Sequence, residues 1–215
     1  HPIIERVQCD VAYTTNTVCL GYEGACKTGI LLYGVNASGK SSLMKAAALS
    51  VIMAQAGLYI PAKKMVLSPF KNIFTRLTKD DNLLEGKSSF AVEMMEIRDI
   101  LHRCDSNSVV FGDELCSGTE SASALSIVTA SILHLRKQRT PFIFATHLHE
   151  LVDVAEIRAC EPPVTMLHLS VEYDPLADIL VYHRKLREGS GQGAYGIEVC
   201  KSMDLPDGFI KIAQG

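Results

Sequence analysis

Between an apolar run, Ile30 to Tyr33, and a long helix-forming segment, the chain reads Gly34-Val35-Asn36-Ala37-Ser38-Gly39-Lys40-Ser41, a complete G-x-x-x-x-G-K-S loop. A strand that feeds a glycine loop and then a helix is a βα unit, so this stretch commits the chain to a layered α/β fold. The two glycines let the backbone wrap close to phosphate oxygens. The amides of the turn and of the helix's first turn, including Ser42, point at the anion. Lys40 is expected to reach the outer phosphates of a nucleoside triphosphate, and Ser41 to hold Mg²⁺ through its hydroxyl.

At 215 residues and 47% hydrophobic content, the chain can bury a full core as one domain. A net charge of −3 gives no footprint for nucleic acid. Any contact with DNA is therefore expected to come through domains outside this chain, of which His1 suggests it is a piece. The seven cysteines (Cys9, Cys19, Cys26, Cys104, Cys116, Cys160 and Cys200) are odd in number and form no C-x-x-C pair. They read as reduced thiols in an intracellular compartment such as cytoplasm, nucleus, viral factory or mitochondrion. No window is long and apolar enough to suggest a membrane helix.

The pattern predicts a β flap over 1–29, a core over 30–160, a β-hairpin over 161–192 and helices over 193–215. The flap is expected to be antiparallel, with Thr17 to Leu20 as a short β-prone stretch and Gly21, Gly24 and Gly29 as turn residues. Helix is expected over Lys40 to Ala56, stopped by Gly57, and over Ser88 to Arg103, with Ser88 as N-cap. Further helices are expected over about Ala122 to Lys137 and His149 to Ile157. Buried strands are expected at Ile30 to Tyr33, Ser108 to Glu114 and Phe142 to Thr146, with a short strand and loop within Ser68 to Leu77. Strands alternating with helices at this rhythm mean a parallel sheet. Val164 to Tyr173 and Asp178 to Leu186 alternate instead and read as an antiparallel hairpin. Two short helices, Gly193 to Met203 and Pro206 to Ala213, close the chain.

Two further motifs narrow the chemistry. The strand Ser108 to Phe111 leads into Gly112-Asp113-Glu114. Asp113 can ligate Mg²⁺ or hydrogen-bond to its shell, and Glu114 can polarise water at a γ-phosphate, an arrangement suited to hydrolysis. The plainer reading of the pair is a solvated strand end. His147 follows the next strand, so it emerges at the same carboxyl edge, where it could donate to a γ-phosphate oxygen or position the water. The sequence His147-x-His149-Glu150 also resembles a zinc pattern, but no further ligand stands at matching spacing.

Taken together these motifs resemble the ATPase domain of the MutS family of DNA mismatch-repair proteins, a branch of the ABC-type ATPases. The matching stretches are His1 to Glu5, Gly34 to Ser42, Met53 to Gly57 with Ile60 to Ala62, Ile73 to Arg76, Gly86 to Met94, Gly112 to Leu115, Phe144 to His147 with Glu150 and Leu151, and Tyr195 to Glu198. The resemblance implies a P-loop NTPase of ABC type that binds ATP and Mg²⁺. Two such domains would pair head to tail, so that Ser88 of one subunit meets the γ-phosphate held by the other. A helix N-terminus suits that contact, and a plain N-cap role for Ser88 is compatible with it. Asn36 matches a phosphate contact, Tyr13 falls where an aromatic meets adenine, and Arg184 aligns with a second stacking position, although an exposed arginine on a strand is usually only solvated.

Two departures stand out: Leu115-Cys-Ser-Gly-Thr-Glu120 replaces the usual Ile-Gly-Arg-Gly-Thr-Ser, so that Ser117 stands in place of the arginine of the subunit-contact loop, and Asn36-Ala-Ser-Gly39 replaces Asn-Met-Gly-Gly. The first resembles the branch of giant viruses and octocoral mitochondria, whose members carry a carboxyl-terminal HNH-type nuclease. The expected function is ATP hydrolysis driving a clamp on mismatched double-stranded DNA, with Glu114 and His147 in the chemistry and no membrane partner. The alternatives are another ABC-type ATPase of recombination or chromosome maintenance, and a dimerising nucleotide-binding module with little turnover.

Overall fold

The computed structural model describes residues 14–22, 26–77, 89–174, 176, 179–191, 200 and 206–214, with the backbone alone for Ser89, Asp207 and Gln214. In chain order the described elements are β1 (Gly29–Tyr33), α1 (Lys40–Gln55), β2 (Asn72–Arg76), α2 (Ser89–Arg103), β3 (Ser108–Asp113), α3 (Ser121–Lys137), β4 (Phe142–Ala145), a 3₁₀ turn (His149–Val152), α4 (Ala155–Arg158), β5 (Thr165–Asp174), β6 (Ile179–Glu188) and α5 (Asp207–Gln214). The strands form one six-stranded sheet in the order β2-β3-β4-β1-β5-β6. Every pairing is parallel except β5 with β6.

The central strands carry unbroken apolar runs because both of their faces are covered. Alternate residues of each strand point to opposite sides. Leu31, Tyr33, Val110, Phe142 and Phe144 pack with Ile97 of α2 and with Ala124, Val128, Ile132 and Leu135 of α3. Ile30, Leu32, Val109, Phe111, Ile143 and Ala145 pack with Met44, Ala48 and Val51 of α1 on the other side. This is a three-layer mixed α/β sandwich. No helix among the described residues is long and apolar enough to cross a membrane.

Three local features differ from what the pattern predicts. The helix expected over His149 to Ile157 is broken: Val154 is extended (φ −67°, ψ 117°) between the 3₁₀ turn and α4. Leu151 and Ile157 are both buried in one cluster. Six residues apart on a continuous helix, they would lie roughly 120° apart around its axis, and the break lets both face the core.

The flap offers no antiparallel ladder among its described residues, only an isolated parallel bridge, Leu20 with Lys27. Side chains attach this segment to the edge strand instead. The Asn16 amide donates to the Arg184 carbonyl and accepts from the Leu186 N–H, each at 2.9 Å, and Lys185 Nζ donates to the Thr15 carbonyl.

The bridge also brings Cys19 and Cys26 to a Cα separation of 4.8 Å, where they form a disulfide. The reading of all the cysteines as reduced thiols is thereby corrected. A separation of seven residues gives no sequence cue for pairing, and only the fold of the flap creates it. Cys104, Cys116, Cys160 and Cys200 are free thiols. The segment expected as a helix over Gly193 to Met203 lies outside the described residues except for Cys200.

Candidate functional site

Parallel pairing places the carboxyl ends of β1, β2, β3 and β4 on one edge of the sheet, and the residues that follow them meet there. β4 lies between β1 and β3. The glycine loop therefore rises from the strand on one side of β4, and the Asp-Glu pair from the strand on the other. His147 comes from beyond the end of β4 itself.

The loop is bent by backbone conformations that suit glycine. Gly34 has φ 148° and Gly39 φ 104°. A Cβ on Gly34 would stand 2.7 Å from Ser38 Oγ. Gly39 caps α1 without any side-chain hydrogen bond to the helix start. Lys40 is only 4% exposed, and its Nζ donates to the carbonyls of Gly34 (2.7 Å) and Val35 (3.3 Å). Burial pulls its ammonium below the usual lysine range, while the charges of Glu114 and Asp113 oppose the shift. Ser38 Oγ is buried without a hydrogen-bond partner among the described residues. Asn36, Ala37 and Ser42 are exposed, and Val35, Gly39 and Ser41 half-buried.

Across the edge, Asp113 is half-buried at the last position of β3, and its Oδ1 has no hydrogen-bond partner among the described residues. Glu114 leaves the strand in a left-handed conformation (φ 47°), with its N–H donating to the Ala145 carbonyl at 2.9 Å. That turn aims its carboxylate at His147, whose Nε2 lies 2.8 Å from Glu114 Oε1. Both side chains remain accessible, His147 at 43% and Glu114 at 26%.

The segment after β4 is held from below. Thr146 N–H donates to the Leu32 carbonyl, Leu148 N–H to Thr146 Oγ1, and the Tyr33 hydroxyl to the Leu148 carbonyl. His149 stacks on the buried Tyr33 ring with centroids 5.1 Å apart, which gives this second histidine a structural place. The structure thus brings Lys40, Asp113, Glu114 and His147 to one edge. Tyr13 and Ser88 lie outside the described residues. Arg184 is exposed on β6 in a left-handed conformation (φ 55°), its carbonyl held by Asn16.

Sequence reasoning did not single out two anchors behind this edge. Glu93 of α2 is 6% exposed and accepts the Cys116 N–H at 2.8 Å through Oε1. Arg76, at the end of β2, places Nε 2.7 Å from Glu96 Oε2, close enough for an ion pair although not aligned as a hydrogen bond. The helical spacing of Phe90, Met94, Ile97 and Leu101 puts Glu93 with Glu96 and Arg98 on other faces of this helix; the structure corrects that for Glu93, which stands three residues from Phe90 and four from Ile97 and is buried.

A mainly parallel sheet between helix layers, with a glycine loop opening a helix and a carboxylate pair and a histidine beside it on the carboxyl edge, defines a mixed α/β domain with its candidate site at that edge. Within that class the chain belongs to the MutS family, because residues 30–215 match the family model for MutS domain V.

The chain is 38% identical over 189 residues to a putative DNA mismatch repair protein MutS homolog of Acanthamoeba polyphaga mimivirus, covering 86% of this chain and 17% of that protein. It is 36% identical over 200 residues to the mitochondrial DNA mismatch repair protein MutS homolog of Sarcophyton glaucum, covering 93% and 19%. With the DNA mismatch repair protein MutS of Clostridium botulinum it shares 38% identity over 217 residues, covering 100% and 22%. The chain spans about a fifth of the length of these relatives.

Proposed function

We propose that this domain is an ABC-type P-loop ATPase that binds ATP with Mg²⁺ and hydrolyses it to switch a clamp on mismatched DNA. The observation that carries the reading is the buried Lys40 ammonium, held by loop carbonyls and facing Asp113 and Glu114. An incoming polyphosphate offers Lys40 better acceptors than those carbonyls. The first-turn amides of α1 and Ser38 Oγ supply further donors.

The donor set fits a magnesium ion. Asp113 Oδ1 is an orphaned buried acceptor, and Ser41 stands in the first turn of α1. Among the described residues no three His, Cys, Asp or Glu side chains gather as a metal cage. Magnesium bound to a nucleotide takes most of its ligands from phosphates and water and needs few from the protein. When bound, the ion would neutralise phosphate charge during the transfer.

Glu114 is the general base of this reading. It takes a proton from water while His147, at 2.8 Å, orients its carboxylate. Ser88 of a second, head-to-tail subunit would complete the site, and Tyr13 and Arg184 would flank the adenine. DNA contact belongs to other parts of the whole protein, in keeping with a net charge of −3 here and with relatives named as mismatch repair proteins.

The test is Mg-ATP turnover by the whole protein and by Glu114→Ala. The variant is expected to bind ATP and lose about 10²- to 10⁴-fold in kcat, the usual contribution of a general base. Unchanged turnover refutes the assignment. Less than twofold preference for mismatched over homoduplex DNA would refute the repair reading while leaving the ATPase intact. Binding of ATP without turnover in the parent would favour the dimerising nucleotide module, in which the Glu114–His147 contact keeps the base engaged.

A further inference from the structure

We propose that Glu93 is a positioning residue that sets the Glu114 carboxylate by holding the turn after β3, and so couples α2 to the water-activating group. This rests on the ATPase reading above. Glu93 does not face the site. Its side chain is buried within an otherwise apolar helix face, and its Oε1 accepts the backbone N–H of Cys116 at 2.8 Å.

A buried carboxylate is unfavourable unless hydrogen-bonded, so the natural occupant of such a position is an aliphatic side chain. A carboxylate is explained there by what it holds. The held turn is strained, because Glu114 (φ 47°) and Cys116 (φ 61°) are both non-glycine residues in the left-handed region. Such conformations persist where surrounding contacts over-determine them. Contacts that do so here include Glu114 N–H to the Ala145 carbonyl, Ser117 N–H to the Glu114 carbonyl, Cys116 N–H to Glu93, and Thr119 N–H to the Cys116 carbonyl. Loosening the third frees the turn to relax, which would swing the Glu114 carboxylate away from His147.

The same helix has a second strut. Glu96, one turn along α2, pairs with Arg76 at the end of β2, and Arg76 lies beside Gly112 in the sheet register. α2 is therefore tied to the carboxyl ends of two neighbouring strands. Its first described residue, Ser89, directly follows Ser88, where the proposed partner's nucleotide would press. A displacement of the helix start thus has a hydrogen-bonded route to the backbone that aims the base.

The experiment compares Glu93→Ala, Glu93→Gln and Glu93→Asp in the whole protein. It reads kcat, the Kd for a fluorescent ATP analogue, melting temperature, and hydrogen exchange at the Cys116 amide. Glu93→Gln keeps the oxygen acceptor and is expected to retain kcat within threefold. Glu93→Ala is expected to lose at least tenfold in kcat with Kd changed less than threefold, and to exchange the Cys116 amide at least tenfold faster. If Glu93→Ala does not fold, Glu93→Asp carries the test, because it withdraws the carboxylate by one methylene and is expected to lose at least threefold in kcat.

A folded Glu93→Ala, or failing that Glu93→Asp, that keeps kcat within twofold overturns the inference. So does a loss of kcat matched by the loss of ATP binding or of folded protein, the pattern of a merely structural residue. Equal impairment of Glu93→Gln and Glu93→Ala also overturns it. A parent protein that does not hydrolyse ATP removes the ATPase reading and this inference together, whereas an active parent with an indifferent Glu93 removes this inference alone.

Discussion

Replacing Lys40 by methionine separates the domain's ligand binding from its folding. The side chain is 4% exposed and donates two hydrogen bonds to loop carbonyls, yet burial depresses its pKa, so the fold does not favour the cation. Methionine fills a similar volume without that desolvation. Against this, the Gly34 and Val35 carbonyls lose a donor, at about 1–3 kcal/mol for a group left unsatisfied. These effects oppose each other, and the nucleotide-free melting temperature is expected to change by less than about 4 °C, roughly 1–2 kcal/mol for a domain of this size.

Binding behaves otherwise. A charge-assisted contact to phosphate is worth about 1.5–3 kcal/mol, which raises the ATP Kd roughly 10- to 150-fold. At an ATP concentration of about 100 times the parent's Kd, ligand stabilisation of about 2.7 kcal/mol would fall to roughly 0.3–1.3 kcal/mol. Equilibrium titration with a fluorescent ATP analogue and thermal melts with and without Mg-ATP measure both quantities. An ATP Kd within threefold of the parent's, in a variant that melts normally, would refute Lys40 as a phosphate ligand. A collapse of the nucleotide-free melting temperature would show instead that Lys40 is chiefly a structural brace.

Gly34→Ala is expected to weaken ATP binding at least tenfold, because its Cβ would stand 2.7 Å from Ser38 Oγ and the residue has φ 148°; an unchanged Kd would show that the loop does not need its bend. Burial pushes the Cys116 thiol up to about 11, from an ordinary 9.0. The folded state then holds its proton more tightly than the unfolded chain. Its contribution to stability is full below pH about 9 and is lost as pH rises towards about 11. Denaturant melts across that range should show a decline that Cys116→Ala reduces, and an identical pH profile in the variant would contradict the burial argument.

Local spacing made much of this domain legible. The central strands read as continuous apolar runs because both faces are covered, and β1, β3 and β4 fall within a residue of where the pattern puts them. The glycine loop, the Asp113-Glu114 pair and His147 were each visible because their backbone demands, a tight turn or a strand end, are written in consecutive residues. Where sequence reasoning stopped, packing and pairing in the folded chain decided, even between residues close in sequence. The break at Val154 depends on a core that both Leu151 and Ile157 must reach. The Cys19–Cys26 disulfide depends on the bridge of Leu20 with Lys27.

The amino-acid sequence by itself determined the layered α/β class, the phosphate-binding chemistry expected of Gly34 to Ser41 and the identity of the two carboxylates, since each rests on contacts within a few residues. Only the tertiary structure decided that β4 sits between the loop strand and the carboxylate strand. That order puts His147 against Glu114 rather than loose in the cleft. It also decided that Glu93, 23 residues before Cys116, holds the turn that aims Glu114. Strand order and buried long-range hydrogen bonds arise from packing three layers together, and no local pattern encodes which strand lies next to which.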